Sequence, residues 1–219
     1  MNIVILGPPG SGKGTQSELI SGKYGLYYLQ TGDLSRKLAE KNERIKEIVN
    51  SGKLIPQEEM TLYVLDHLKD ENIDLNNILF EGFPRFVSQY EALENFLKTK
   101  SATINLAISI DISREETIKR ISSRRICIKC TEVYNLITDP PDKEGLCRCG
   151  GRLIQREDDN PESIEVRLRY YENNTKELIK YLENRNFLIR IDGSRPIQEI
   201  FNDIVEVIEN TNAKNTGKN

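Results

Sequence analysis

An α/β fold, with a doubly wound parallel sheet covered by helices on both faces, is what this 219-residue sequence predicts. Short apolar runs recur without the polar alternation of half-exposed strands, as expected of strands buried on both faces. Helical stretches separate them, and that alternation implies right-handed βαβ crossovers. The first apolar run also leads directly into a glycine-rich loop and then a helix.

The strand runs are Ile3-Val4-Ile5-Leu6, Ile78-Leu79-Phe80, Leu106 to Ile110 and Phe187 to Ile191, with Leu26-Tyr27-Tyr28-Leu29 a weaker fifth. A helix carrying Gln16, Leu19 and Ile20 follows the glycine loop. Residues 31–55 read as two short charged helices, Leu34 to Glu40 and Glu43 to Asn50, rather than one crossover. Gln57 to Lys69 follows Pro56 and opens on Glu58 and Glu59, which suit the positive end of a helix dipole. Ser88 to Lys98, Ser113 to Ser123 and Ile197 to Glu209 fill other intervals as helices. Residues 125–160 hold four cysteines, Pro140-Pro141, Gly150-Gly151 and an alternating piece from Glu132 to Leu136, the pattern of a small β-rich insertion. A new helix then starts sharply, with Asn160 as N-cap, Pro161 at its first position and Glu162 behind. From Asn210 the chain is rich in Asn, Thr, Lys and Gly and is expected to be mobile. There is no internal repeat.

Charged residues make up 30% and hydrophobic residues 37%, an ordinary globular composition. Lys plus Arg number 31 against 34 Asp plus Glu, a net charge of −3 that argues against nucleic acid or an anionic membrane as main partner. No apolar run approaches the ~18 residues of a membrane span. The polar loop from Gly7 to Gly10 comes too early to leave room for a signal peptide, so the expected location is the cytoplasm. In that compartment, cysteines clustered between Cys127 and Cys149 point to metal before disulfides.

Gly7-Pro8-Pro9-Gly10-Ser11-Gly12-Lys13-Gly14-Thr15 has the G-x-x-x-x-G-K spacing of a phosphate-binding loop. Its chemistry requires glycines because backbone N–H groups must turn inward around an anion. The following helix aims its positive end at the phosphates, and Lys13 adds a formal charge. Gly14 stands where most such loops have Ser or Thr, so either Thr15 offers the hydroxyl for Mg²⁺ or the metal is held through waters and phosphate oxygens.

Gly12-Lys13-Gly14-Thr15 resembles the loop of nucleoside monophosphate kinases, and three further segments resemble that family in order. They are Thr31-Gly32-Asp33-Leu34-Ser35-Arg36, then Gly82-Phe83-Pro84-Arg85 with Gln89, then Arg124-Arg125 followed by Arg156-Glu157-Asp158-Asp159 and Arg167. Within the family the chain is most similar to adenylate kinases of the long-lid, cysteine-bearing kind, over nearly its whole length to about residue 210. The resemblance implies Mg²⁺-dependent transfer of the terminal phosphoryl group of ATP to AMP, giving two ADP, by a monomer serving adenine nucleotide homeostasis and salvage. It implies a core of residues 1–29, 56–122 and 161–219, an AMP-binding insertion at 30–55, and a lid at 123–160.

By the same resemblance, ATP is held by Gly10, Ser11, Gly12, Lys13, Gly14 and Thr15, with Arg124, Val133, Tyr134 and Arg195. AMP is held by Thr31, Arg36, Lys53, Leu54, Ile55, Gly82, Phe83, Pro84, Arg85 and Gln89, with Arg156 and Arg167. The catalytic group is then Lys13, Arg85, Arg124, Arg156 and Arg167; Arg125, Arg152 and Arg169 read as surface residues. Arginine suits this work because its planar fork holds two phosphate oxygens and stays charged. Pro161 starts a helix between Arg156 and Arg167, so their convergence must come from a hinge. Glu81 stands where the family usually has Asp; it either holds waters of Mg²⁺ or pairs with Lys13 or Arg85. An AMP phosphate oxygen is anionic near neutral pH, so no general base is required, and the lone His67, beside Asp66 and Lys69, reads as a solvated surface residue.

Cys127-x-x-Cys130 and Cys147-x-Cys149, with sixteen residues between the pairs, come close to a zinc ribbon. Four thiolates would make a closed structural Zn²⁺ site, pinning a lid too small for its own core. The second pair is one residue shorter than usual, which leaves either Cys147 or Cys149 open to displacement. A nucleotide-switched protein whose ribbon binds nucleic acid or protein is the reading from another class; the acidic balance and the acceptor-side motifs count against it. A kinase of the same fold acting on UMP, CMP or GMP is the nearer rival.

Overall fold

The computed structural model describes residues 1–70 and 72–216, with side chains to residue 213. Five parallel strands form the central sheet: β1 (Ile3–Leu6), β2 (Tyr27–Gln30), β3 (Ile78–Glu81), β4 (Leu106–Asp111) and β8 (Leu188–Asp192). Their order is β2-β3-β1-β4-β8, so the chain doubles back about β1 and opens a crevice at the strand ends beside it. In β1, β3 and β4 nearly every residue is buried, which explains why their sequences lack alternation. Observed bounds differ from the expected runs by about a residue, and β2 ends on Gln30 beside Glu81.

Helices α1 (Lys13–Tyr24) and α9 (Ile197–Thr216) pack on one face, where Ile20, Ile200, Ile204 and Ile208 meet Ile3, Ile5 and Leu79. The other face carries α4 (Gln57–His67), α5 (Val87–Thr99) and α8 (Lys176–Asn184), with Val64, Leu93, Leu97, Leu178 and Leu182 against Val4, Ile78 and Phe80. The first helical insertion is α2 (Thr31–Ala39) and α3 (Glu43–Asn50). After α6 (Arg114–Ser122) comes a three-stranded antiparallel sheet of β5 (Arg124–Cys127), β6 (Val133–Asn135) and β7 (Leu153–Ile154). An acidic 3-10 turn, Glu157–Asp159, leads into α7 (Pro161–Tyr170), and Tyr171–Thr175 widen into a π turn before α8.

Asn160 caps α7 as its sequence predicts, its side chain accepting from Ser163 N. Two expectations need correction. Helix α2 begins at Thr31 rather than Leu34, placing Thr31 and Gly32 in its first turn. The tail expected to be mobile from Asn210 continues α9 to Thr216, with Thr211 Oγ1 donating to Val207 O at 2.8 Å. A polar composition does not end a helix whose preceding turns are anchored at Ile204 and Ile208. Residues 217–219 lie outside the described residues. Helix α8 was not singled out by the sequence reading; its buried Leu178, Ile179 and Leu182 give it a core-facing stripe.

Candidate functional site

The loop between β1 and α1 wraps the start of the helix, and Gly12, with φ of 89°, precedes its first residue. No acidic residue occupies the first turn of α1, so its N–H groups and positive dipole end are open to an anion. Lys13 folds back over the loop, its Nζ donating to Gly7 O at 2.9 Å and Pro8 O at 2.7 Å. Burial pulls the Lys13 ammonium down to about 8; Glu81 works in the opposite direction, while Arg85, Arg167 and Arg124 add to the depression. An anionic ligand would relieve that stress.

Three arginines, Arg85, Arg124 and Arg167, press on the Lys13 charge, and Arg156 lies near Arg124. Arg124, at the start of β5, forms a two-pronged bond with Asp159, Nε to Oδ2 at 2.8 Å and Nη2 to Oδ1 at 2.5 Å. Arg167, on α7, reaches Asp158 Oδ2 and Asp159 Oδ1, both at 3.2 Å. Asp159 is completely buried and bridges the two guanidinium groups. The acidic turn thus links Arg124 to Arg167 across Pro161. Burial opposes the charge of Arg124, but the Asp159 bond more than offsets it and raises its pKa. Arg156 is different: burial and then the charges of Arg124 and Arg36 push it down to about 10, and its Nε is buried without a hydrogen-bond partner among the described residues. A buried guanidinium nitrogen with nothing to bind marks a place for an anion.

Beyond β3, Arg85 Nε donates to Gly82 O at 2.7 Å, and burial lowers its pKa. Gln89 is buried, accepting from Arg85 N at 2.9 Å and donating to Gln57 O at 3.1 Å. Its amide has one further donor and one further acceptor position for a ligand. Thr31 Oγ1 donates to Glu81 O at 3.4 Å, tying α2 to the end of β3. Arg36 is exposed and pairs with Asp33. Ile55 is buried in the core and Leu54 half-buried, whereas Lys53 lines a cleft of about 420 Å³ with Arg169 and Asn173. The Glu81 carboxylate enters no ion pair among the described residues, although its charge is felt at Lys13. That carboxylate, and separately the exposed Thr15 hydroxyl, are hard oxygen donors of the kind that suits Mg²⁺.

In the three-stranded insertion, Val133 is exposed, but the Tyr134 side chain points inward and donates to Cys147 Sγ at 3.5 Å. Only its backbone can therefore face a nucleotide. Arg195 pairs with Asp203 at the start of α9. Arg120 is a cation that the sequence reading passed over: its Nη1 donates to Gly193 O at 2.9 Å and its side chain lies beside Gly10. Its signal was weak, since an i,i+4 pairing with Glu116 is what any surface helix shows. Arg152 and Arg169 are exposed, as expected of surface residues. His67 accepts or donates a 2.7 Å bond with the Tyr27 hydroxyl, remote in sequence from these motifs.

The four cysteine sulfurs lie within 4.8 Å of one another. The shortened second pair works because its turn is tight, with Gly150 N donating to Cys147 O at 2.8 Å and Cys147 N to Gly151 O at 2.8 Å. Gly151 must be glycine: a Cβ there would sit 2.5 Å from Cys127 Sγ. Backbone N–H groups of Lys129 and Cys149 point at Cys127 and Cys147 Sγ, at 3.4 and 3.5 Å, as they would toward thiolates. Four converging sulfurs with N–H donors fit a soft, thiophilic ion such as Zn²⁺.

Comparison with known proteins agrees with this arrangement. A family model described as adenylate kinase matches residues 5–187. Curated relatives include adenylate kinases of Clostridium tetani, 40% identical over 95% of this chain and 98% of theirs, and of Archaeoglobus fulgidus, 38% identical over the same shares. That of Fervidobacterium nodosum is 38% identical over 95% of this chain and 97% of its own.

Proposed function

Because the chain belongs to the adenylate kinase family, we propose that it moves the terminal phosphoryl group of ATP to AMP, giving two ADP. The observation that carries this reading is the cation cluster about Lys13, with Arg156 beside it near Arg124, its Nε buried and without a hydrogen-bond partner among the described residues. In this reading the backbone of Gly10 to Thr15 and Lys13 hold the donor phosphates, while Arg36 and Arg85 hold the AMP phosphate. Arg124, Arg156 and Arg167 surround the group in transit. AMP's own phosphate is ionised near neutral pH, since its second pKa is about 6, so its oxygen attacks in line without a protein base. The cations act because charge spreads over the phosphoryl oxygens during transfer, and a fixed cation in a dry site gains interaction as it does. Mg²⁺ bound with ATP supplies neutralisation of the phosphate oxygens.

Residues 30–55 are then the insertion that closes over AMP, with Thr31, Gln89 and the segment Lys53-Leu54-Ile55 around its base. Residues 123–160 are the lid over ATP, with Val133, the Tyr134 backbone and Arg195 near the donor. Closure of both excludes water, which would otherwise accept the phosphoryl group. Cys127, Cys130, Cys147 and Cys149 hold Zn²⁺, which supplies structure to the lid and no chemistry. The chain is taken to act as a monomer in the cytoplasm, with adenine nucleotides as its partners. Incubating protein, Mg²⁺ and ATP with AMP, UMP, CMP or GMP tests the reading. Balanced ADP formation with AMP preferred is expected; slow ATP hydrolysis indifferent to AMP would overturn it, and equal use of UMP or GMP would overturn the acceptor assignment alone.

A further inference from the structure

A cleft of about 420 Å³ lies where the chain leaves the helical insertion beside α7, lined by Lys53, Val166, Arg169, Tyr170, Asn173 and Asn174. Positions 166, 169, 170 and 173 have the spacing of one helix face, carried from α7 into the π turn. Such π turns recur at functional sites. Neither Lys53 nor Arg169 enters a hydrogen bond or ion pair among the described residues. Glu165 and Glu172, four before and three after Arg169, are in reach to neutralise it, but Arg114 on α6 holds both, at 2.5 and 3.2 Å. Among the described residues no carboxylate lines the cleft. Of its lining, only Lys53 falls in the sets assigned to ATP or AMP, and that assignment uses its place in the segment beside the AMP base rather than its ammonium.

We propose that this cleft is a binding site for a diphosphate group, either free pyrophosphate or the phosphate end of a nucleoside diphosphate. Two unneutralised cations from separate elements call for an anion with more than one charge. The Arg169 fork meets two phosphate oxygens, and the Lys53 ammonium adds a point charge. The amides of Asn173 and Asn174 and the Tyr170 hydroxyl are further donors on the same lining. Occupancy has a consequence for the insertion. Lys53 directly follows Gly52, which sits against Ser163 of α7, and Ser163 Oγ donates to Asn50 O at 3.4 Å. An anion held by both Lys53 and Arg169 ties the insertion to α7 beside that contact, and by linkage it favours the seated insertion. The site goes beyond the phosphoryl-transfer reading and does not depend on it.

The test is amide NMR of the full chain titrated with inorganic pyrophosphate or ADP, Mg²⁺ omitted and ionic strength fixed, for wild type, Arg169→Gln and Arg169→Lys. Resonances of residues 10–15 report the phosphate loop in the same sample and show that each variant is folded; those of residues 166–174 report the cleft. The expected result is saturable shifts at the cleft in wild type, with affinity there about 10-fold weaker in Arg169→Gln and Arg169→Lys between them. Affinity at the loop should be unchanged. Amide exchange in residues 43–53 should slow with pyrophosphate in wild type and not in Arg169→Gln. Tighter Arg169-dependent binding of ADP than of pyrophosphate would identify a nucleotide as the source, and equal binding the free diphosphate. Cleft resonances that stay still, that move with the same affinity for sulfate, or that titrate alike in all three proteins would overturn the site. A cleft that fills without slowing exchange in residues 43–53 would overturn the tie to the insertion. Formation of ADP from ATP and AMP is measured separately, so either failure leaves phosphoryl transfer standing.

Discussion

Burial and three neighbouring arginines hold the Lys13 ammonium down to about 8 in the free protein. The free enzyme therefore loses this charge as pH rises through that value, and kcat/KM for ATP should fall above about pH 8. Bound phosphates favour the ammonium, so the fall in kcat should lie at higher pH. Since the folded value lies below the ordinary 10.5, the lysine makes folding more favourable, not less, as pH rises between them. Melting temperature measured alongside activity separates the two effects. Lys13→Met keeps bulk and removes charge, and Arg124→Lys keeps charge but loses the two-pronged bond to Asp159. Each should lower kcat by a factor on the order of 100 or more, about 3 kcal/mol, by analogy with removal of one oxyanion donor. Lys143→Ala, at an exposed position in the lid, should leave kcat nearly unchanged. A folded Lys13→Met with near-normal kcat would refute the loop assignment.

The helical insertion is seated on α7 at one close contact. Ser163 Oγ donates to Asn50 O at 3.4 Å, and Gly52, with φ of 70°, has Ser163 against it. A Cβ at Gly52 would sit 2.8 Å from Ser163 Cβ and O, on a backbone conformation that side chains rarely adopt. Gly52→Ala should therefore unseat the insertion and raise KM for AMP severalfold while KM for ATP changes little; steady-state kinetics with each substrate varied decides it. In the proposed function the lid, residues 123–160, has a different anchor. Its own apolar cluster is small, Tyr134 and Leu153 with two of the cysteines, so it has little to hold it without a metal. Cys149→Ser should abolish stoichiometric zinc, measured by elemental analysis, and lower the melting temperature more than it lowers kcat at 20 °C or below. Retained zinc or an unchanged melt would count against a four-cysteine site.

At the scale of the molecule, the arginines come from segments that the two insertions and α7 carry separately. Arg36 belongs to α2, Arg124 to the lid sheet, and Arg156 and Arg167 flank the acidic turn. In the proposed function, assembly of the site couples both insertions to the core, and two nucleotides together should order the protein more than either alone. Amide hydrogen exchange across residues 30–55 and 123–160, with Mg²⁺ omitted to slow turnover, should slow most when ATP and AMP are both present. Equal protection by ATP alone would mean that the two closures are independent.

The strands of the parallel sheet, the phosphate loop and the cysteine cluster were legible in the sequence because each is a local pattern. Runs of buried β-branched residues, glycines at fixed intervals and paired thiols keep their meaning wherever the chain travels. Of the residues placed by resemblance, the structure brings Arg124 and Arg167 together on Asp159 and turns the Tyr134 side chain toward Cys147. Only the tertiary structure could decide that Asp159 bridges two arginines, that Ser163 receives Gly52, or that Tyr28 and Gln30 cover Gly14. Each of these joins residues from separate elements, and no propensity or spacing encodes where two distant segments come within hydrogen-bonding reach. That distance is set by how the sheet orders its strands and how the helices pack across it.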